Sequence, residues 1–353
     1  MQALVLAEVG RFELTEVPDP VPGPDEVRLL VAQSGICGSE LGGFRGADGL
    51  RRPGLVFGHE LVGTVESYGP DVPAGARVPL GTPVTANPLR SCRVCPICRA
   101  GRPNVCPERQ LLGGHVHGSN AELVVVPAAA VHRVDRYPVP EAGVLAEPTA
   151  CAVRAVGRAD LVPGGTALVL GAGPIGLLLL EVLRDRGVGT LLFTERLAGR
   201  VPAAEAAGAV RLPDEPAALV DQVRAATAGL GADTVFDAVG STETRQAAVA
   251  AARPGGAVCF VGLHTAESPL PVRDLVRREI TTTTSFAYRP ADFAEALELL
   301  GTGRVRFRGD VVRAGLEDGQ HWYEQLVAGH PAGKVVLEPG RGDRMAAAAG
   351  PAA

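Results

Sequence analysis

Four cysteines crowd into fifteen residues, Cys92-x2-Cys95-x2-Cys98-x7-Cys106, in a stretch of proline, glycine and arginine. Spacings this short let one chain segment wrap a single ion, and four thiolates match the tetrahedral demand of zinc. In a reducing compartment such clustering favours a metal over disulfides. An iron–sulfur cluster is the competing metal, because the first three cysteines match a ferredoxin opening. There the fourth cysteine comes four residues on and precedes proline. Here it comes eight residues on, although Pro107 follows it, and the spacing favours zinc. Four protein ligands leave no open position, so this ion is structural. Arg90, Arg93, Arg99 and Arg102 would offset the thiolate charge.

A second set of ligand types is scattered: Cys37 in GICGSE, His59 and Glu60 in FGHELVGTV, and Glu147 in LAEPTA. Thiol, imidazole and carboxylate suit a catalytic zinc, which takes three protein ligands and keeps a fourth position open for water or substrate. Spacing alone does not show that they meet.

A third motif points to a dinucleotide. Gly171-Ala-Gly173-Pro174-Ile175-Gly176 follows the apolar run TALVL and opens a helical pattern. That context turns a weak G-x-G-x-x-G match into a strong one. The first glycine permits the tight turn, the second admits pyrophosphate, and the third lets helix and strand pack closely. The helix N-terminus offers free N–H groups to the phosphates. Glu195, nineteen residues after Gly176, ends the run TLLFT, where it can accept from the adenosine ribose hydroxyls and repel a 2′-phosphate. NAD is therefore favoured over NADP, although Arg196 and Arg200 would tolerate the phosphate.

The elements that must position these residues change character along the chain. Short apolar runs broken by glycine and proline continue to about residue 135 and predict a β-rich, barrel-like domain. From about 151, where CAVRAVGRADLV reads as a helix, strands and helices alternate, which predicts a parallel sheet with helices on both faces. An amphipathic helix over PADFAEALELLGTGRV and a closing strand in AGKVVLEP follow. The end of the chain reads as a low-complexity tail, and there is no internal repeat. A net charge of −5 excludes nucleic acid and anionic membrane as main partners. With no apolar run of about 18 residues and no signal peptide, the cytosol is the expected address. Of 34 basic residues only Lys334 is a lysine; this reads as the coding bias of a GC-rich bacterium, without chemical meaning. Cys151 and Cys259 read as small core residues. Arg45, Arg51 and Arg52 read as a solvated loop, with an anionic substrate as the alternative use.

Taken in order, GICGS, GHE-x-x-G-x-V, the four-cysteine lobe and GAGPIG resemble the zinc-dependent medium-chain dehydrogenases. The likeness is nearest to the sorbitol, threonine and butanediol dehydrogenases and to aminocyclitol dehydrogenases, and it runs to about residue 339. It implies an α/β protein: a GroES-like β-barrel catalytic domain over 1–150 and 287–353, and a Rossmann doubly wound parallel-sheet domain over 151–286. It implies a catalytic zinc on Cys37, His59 and Glu147, with Glu60 as a mobile fourth ligand and Ser39 hydrogen-bonding the substrate oxygen and relaying its proton. Val261, Gly262, Leu263, Ser285, Phe286 and Ala287 match segments that line the nicotinamide and its ribose. Two zincs per chain, a small alcohol or ketone substrate and a homodimer or homotetramer follow. There are three departures: Gly42 replaces a relay histidine, Glu40 replaces an aspartate, which is a mild change, and Ala287 replaces the arginine of some polyol enzymes. The expected reaction is hydride transfer between a secondary alcohol (polyol, cyclitol, aminocyclitol or sugar-like) and NAD(P). A non-catalytic NAD-binding sensor and a zinc-independent quinone-type reductase are the alternatives.

Overall fold

The computed structural model describes residues 1–137 and 142–340, so the low-complexity tail at 341–353 lies outside the described residues. The chain divides into two compact units, one of residues 1–147 with the segment from Val311 onward, the other of residues 148–310.

In the first unit the long strand Glu26–Gly35 organises a seven-stranded sheet. It pairs antiparallel with Glu60–Tyr68, with Leu123–Pro127 and, at its end, with Lys334–Glu338. Its apolar residues fill one face, packing Val27, Leu29 and Val31 against Leu61, Val65, Val84 and Val124. Register shifts at Arg28/Leu29 and Val31/Gln33 mark bulges, which bend a sheet and raise its twist. The register sets Gly35 opposite Glu60 and beside Val336, and this delivers the start of one strand and the start of another to the same spot.

A second core lies behind the short helix Gly38–Phe44. Phe12 stands 5.4 Å from Phe44, 4.9 Å from Phe57 and 4.6 Å from Tyr323, ring centre to ring centre. Each such aromatic pair contributes about 0.5–1.5 kcal/mol beyond simple burial. These rings anchor both segments that carry the scattered ligand residues, 37–44 and 57–60.

The second unit is a six-stranded parallel sheet in the order Val210–Arg211, Thr190–Thr194, Thr166–Leu170, Ala232–Asp237, Ala252–Phe260, Thr281–Thr284. TALVL and TLLFT are nearly all apolar because strands of such a sheet are covered on both faces. The chain reverses its direction of travel between Thr166–Leu170 and Ala232–Asp237, and ligands bind at the carboxyl ends of strands at such a switch point.

The boundaries differ from the sequence reading in two places. The helix read from residue 151 spans Ala142–Val156, which puts Glu147 on a helix rather than before one. The helix Pro290–Gly301 stays with the second unit, so the chain returns to the first at 311 rather than 287. Amphipathic periodicity identifies a helix but not the sheet it covers. Among the described residues no helix is long and apolar enough to cross a membrane.

Candidate metal and dinucleotide sites

The four lobe cysteines close on one point. Sulfur–sulfur distances are 3.5 Å for Cys92–Cys106, 3.9 Å for Cys92–Cys98 and 3.9 Å for Cys95–Cys106. A tetrahedron with metal–sulfur bonds of about 2.3 Å has edges of about 3.8 Å, so the cysteines already have the dimensions of a zinc cage. Backbone N–H groups of Cys95 and Cys98 point at the sulfurs of Cys92 and Cys95. Amide donation from Cys95 and Val94 draws the Cys92 thiol down to about 7, while burial and the neighbouring sulfurs of Cys95 and Cys106 push Cys98 up to about 12. The four cannot all ionise without a cation to share. Arg90, expected to balance their charge, instead pairs with Glu26 at 2.7 Å.

The scattered set partly converges. Ligand atoms of Cys37, His59 and Glu60 lie within 4.8 Å of one another; Glu147 stands outside that group, buried. Cys37 caps the helix Gly38–Phe44, and the turn of that helix returns Glu40 beneath it. Glu40 has no solvent exposure. It accepts from His59 Nδ1 at 3.0 Å, from the Gly58 amide at 2.9 Å and from the Tyr323 hydroxyl at 2.7 Å. Burial alone would raise its pKa, but the His59 charge and hydrogen bond, with Arg51 and Tyr323, hold it at about 2. Glu40 therefore stays ionised and ties Nδ1, which leaves Nε2 as the ligand nitrogen. A metal-bound histidine almost always has such a partner on its second nitrogen.

Burial opposes protonation of His59, yet the Cys37 sulfur and Glu40 outweigh it and raise its pKa well above the ordinary value. The pocket draws positive charge to that spot. Glu60 Oε1 is buried with no hydrogen-bond partner among the described residues. A thiol, an imidazole and an orphaned carboxylate oxygen around one point fit a divalent metal with an open corner. The Ser39 hydroxyl lies 3.3 Å from the Cys37 sulfur and is exposed, free to meet a small molecule there.

The dinucleotide motif sits at the switch point of the parallel sheet. Gly171 has φ +89°, and a Cβ on Gly176 would strike the Gly171 carbonyl, so both positions require glycine. Gly173 caps the helix Pro174–Asp185, with Pro174 and Ile175 in its first turn. Glu195, 7% exposed, accepts from the amides of Ala172 at 2.9 Å and Leu197 at 2.8 Å, which locks it beside the turn. Arg200 reaches over Gly173, its Nη1 being 3.5 Å from where a Cβ would stand. Val261 and Gly262 donate to the Asp237 carbonyl, Ser285 donates to that of Phe260, and Leu263, Phe286 and Ala287 follow at the same strand ends.

Residues 23–136 match the model of the alcohol dehydrogenase GroES-like domain, and residues 174–302 match that of the zinc-binding dehydrogenases. The chain is 35% identical to "Probable zinc-binding alcohol dehydrogenase Rv1895" of Mycobacterium tuberculosis, over 88% of this chain and 80% of that one. It belongs to the zinc-binding alcohol dehydrogenases. The dehydrogenase is also 33% identical to a sorbitol dehydrogenase of Arabidopsis thaliana, over 81% of this chain and 80% of the relative. Alcohol dehydrogenase TADH from Thermus sp. ATN1 superposes with a TM-score of 0.88 at 29% identity, covering 96% of this chain and all of that one.

Four groups around the dehydrogenase's donor set carried little signal in the sequence. Glu40 looked like a mild change, yet its extra methylene belongs to the carboxylate that holds His59. Tyr323 belongs to no sequence motif; it is fully buried and also takes a hydrogen bond from Asn120 at 3.1 Å. Arg51, read as part of a solvated loop, is buried: it donates to the carbonyls of Gly113 and Ser39, pairs with Asp48 and lies 5.2 Å over the Phe57 ring. Lys334, read as coding bias, is 3% exposed and ion-paired with Glu60.

Two outcomes follow for variants of the dehydrogenase. Cys95→Ser should release the lobe metal and lower Tm by roughly 5–10 °C, equivalent to about 2–3 kcal/mol for a domain of this size; calorimetry with metal analysis checks it. Tyr323→Phe leaves Glu40 and Asn120 each short of a partner and should weaken metal retention at Cys37 and His59 by about 10-fold, measured by chelator competition.

Proposed function

We propose that the protein transfers a hydride between a secondary alcohol (a polyol, cyclitol, aminocyclitol or sugar-like molecule) and NAD(P), with NAD preferred. The observation that carries this reading is the convergence of ligand atoms of Cys37, His59 and Glu60 to within 4.8 Å of one another, with a fully buried Glu40 holding His59. The kinship with a sorbitol dehydrogenase supports a polyhydroxylated substrate.

Each residue has a task in this reading. Cys37, His59 and Glu147 would hold the catalytic zinc, with Glu60 as a mobile fourth ligand, and Glu40 fixes the tautomer of His59. Cys92, Cys95, Cys98 and Cys106 hold the structural one. The catalytic zinc, when bound, supplies Lewis-acid polarisation of the alcohol oxygen, and bound NAD supplies the hydride acceptor. Ser39 orients the substrate hydroxyl and relays its proton, taking it up while passing its own to the solvent to which it is exposed. The turn Gly171–Gly176 and the N-terminus of the helix behind it bind the pyrophosphate, with Arg200 adding charge there. Glu195 accepts from the adenosine ribose and disfavours a 2′-phosphate. Arg196, 87% exposed and 3.7 Å from Asp214, is poorly placed to reverse that preference. Val261, Gly262, Leu263, Ser285, Phe286 and Ala287 form the nicotinamide end. We further propose a cytoplasmic homo-oligomer.

A panel of secondary alcohols, assayed by NADH absorbance, tests the reading. Polyols and cyclitols should be oxidised, and Cys37→Ser should lower turnover by about a thousandfold or more, the loss of several kcal/mol of polarisation, with NAD affinity unchanged. Retained turnover would remove Cys37 from the chemistry. A protein that binds NAD but oxidises nothing in the panel would be a sensor.

A further inference from the structure

The only lysine of the chain is buried next to the donor set, against Glu60. Lys334 opens the strand Lys334–Glu338, Glu60 opens the strand Glu60–Tyr68, and the last residue of Glu26–Gly35 lies between them. Their ion pair crosses over Gly35. A Cβ at Gly35 would run into the Glu60 carboxylate and stand 3.1 Å from Lys334 Cε, so the glycine makes room for the pair. Neither side chain reaches solvent, with exposures of 2% and 0%. The ammonium also donates to the Ile36 carbonyl at 3.1 Å, one residue before Cys37. The lysine thus meets Glu60 directly and is anchored one residue before Cys37.

Charge balance gives this arrangement a consequence. A thiolate and two carboxylates carry one more negative charge than a divalent ion neutralises. In a buried pocket that excess is costly unless a fixed cation meets it. Lys334 meets it, and it does so by binding the carboxylate whose other oxygen has no partner among the described residues.

We propose that Lys334 is a positioning residue that competes with the catalytic metal for Glu60, holding that carboxylate back so that the fourth corner of the metal stays open. This rests on the dehydrogenase reading, since it presumes a metal on Cys37 and His59. Without the lysine, Glu60 joins the metal, fills the open corner and binds the ion more firmly. Arginine in its place can keep the pair; glutamine cannot.

Cobalt(II) substitution tests this without any turnover, because the visible bands of cobalt weaken as coordination rises from four to five. The cysteine lobe contributes the same bands to every variant and subtracts out. Wild type and Lys334→Arg should show the intense four-coordinate spectrum. Lys334→Gln should show weaker bands and release cobalt to a chelator about 10-fold more slowly. Adding Glu60→Gln to Lys334→Gln should restore the wild-type spectrum. A Lys334→Gln protein with the wild-type spectrum and release rate would overturn the proposal, as would one that loses the ion at Cys37 while staying folded. Should Lys334→Gln fail to fold, Glu60→Gln alone decides: an unchanged spectrum supports the proposal, and a changed one overturns it by showing Glu60 already on the metal. Cobalt bound only in the cysteine lobe would instead defeat the dehydrogenase reading, and the inference with it.

Discussion

The carboxylate of Glu40 is the constraint on which the site depends. It has no contact with solvent, yet it stays ionised because a histidine, a backbone amide and a tyrosine all donate to it. A buried carboxylate that lost those donors would cost several kcal/mol, so His59, Gly58 and Tyr323 are held by the same penalty that they relieve. The aromatic cluster of Phe12, Phe44, Phe57 and Tyr323 fixes the segments from which they come. Ligand geometry in this protein is thus a by-product of burying one charge correctly.

The two candidate metal sites divide along the same physical line. In the lobe, four sulfurs within 4.8 Å of one another, three of the pairs at 3.5–3.9 Å, leave nowhere for a substrate to attach, and the short intervals of the cysteine motif favour that geometry. At the other site Cys37 caps a short helix, His59 immediately precedes the strand that Glu60 opens, and the chain adds a cation, Lys334, beside Glu60. A sealed cage tolerates excess anionic charge by sharing it with one ion and with amides. An open one needs a counter-charge that does not occupy the vacant corner.

Much of this was legible before the fold was known. The cysteine motif and the glycine turn are local, so spacing alone describes them, and alternating strands and helices foretell the parallel sheet. Cys37, His59 and Glu60 could be named through resemblance, but their meeting depends on strand register, which pattern reading does not supply. The groups that escaped notice act through long-range contacts: Tyr323 reaches Glu40 across 283 positions. Composition misled at Lys334, where a lone lysine among arginines looked like bias. Arg51 misled for a related reason, since a charged residue in a glycine-rich loop is normally solvated. The return to the first unit came later than expected because the helix Pro290–Gly301 belongs to the parallel-sheet unit, a fact of packing rather than of pattern.

X-ray absorption at the zinc edge of the purified protein tests the central claim most directly. The account predicts two zincs per chain, with an average shell of sulfur plus nitrogen and oxygen neighbours that reduces to sulfur alone in Cys37→Ser. One zinc per chain with a pure sulfur shell in the unaltered protein would contradict it.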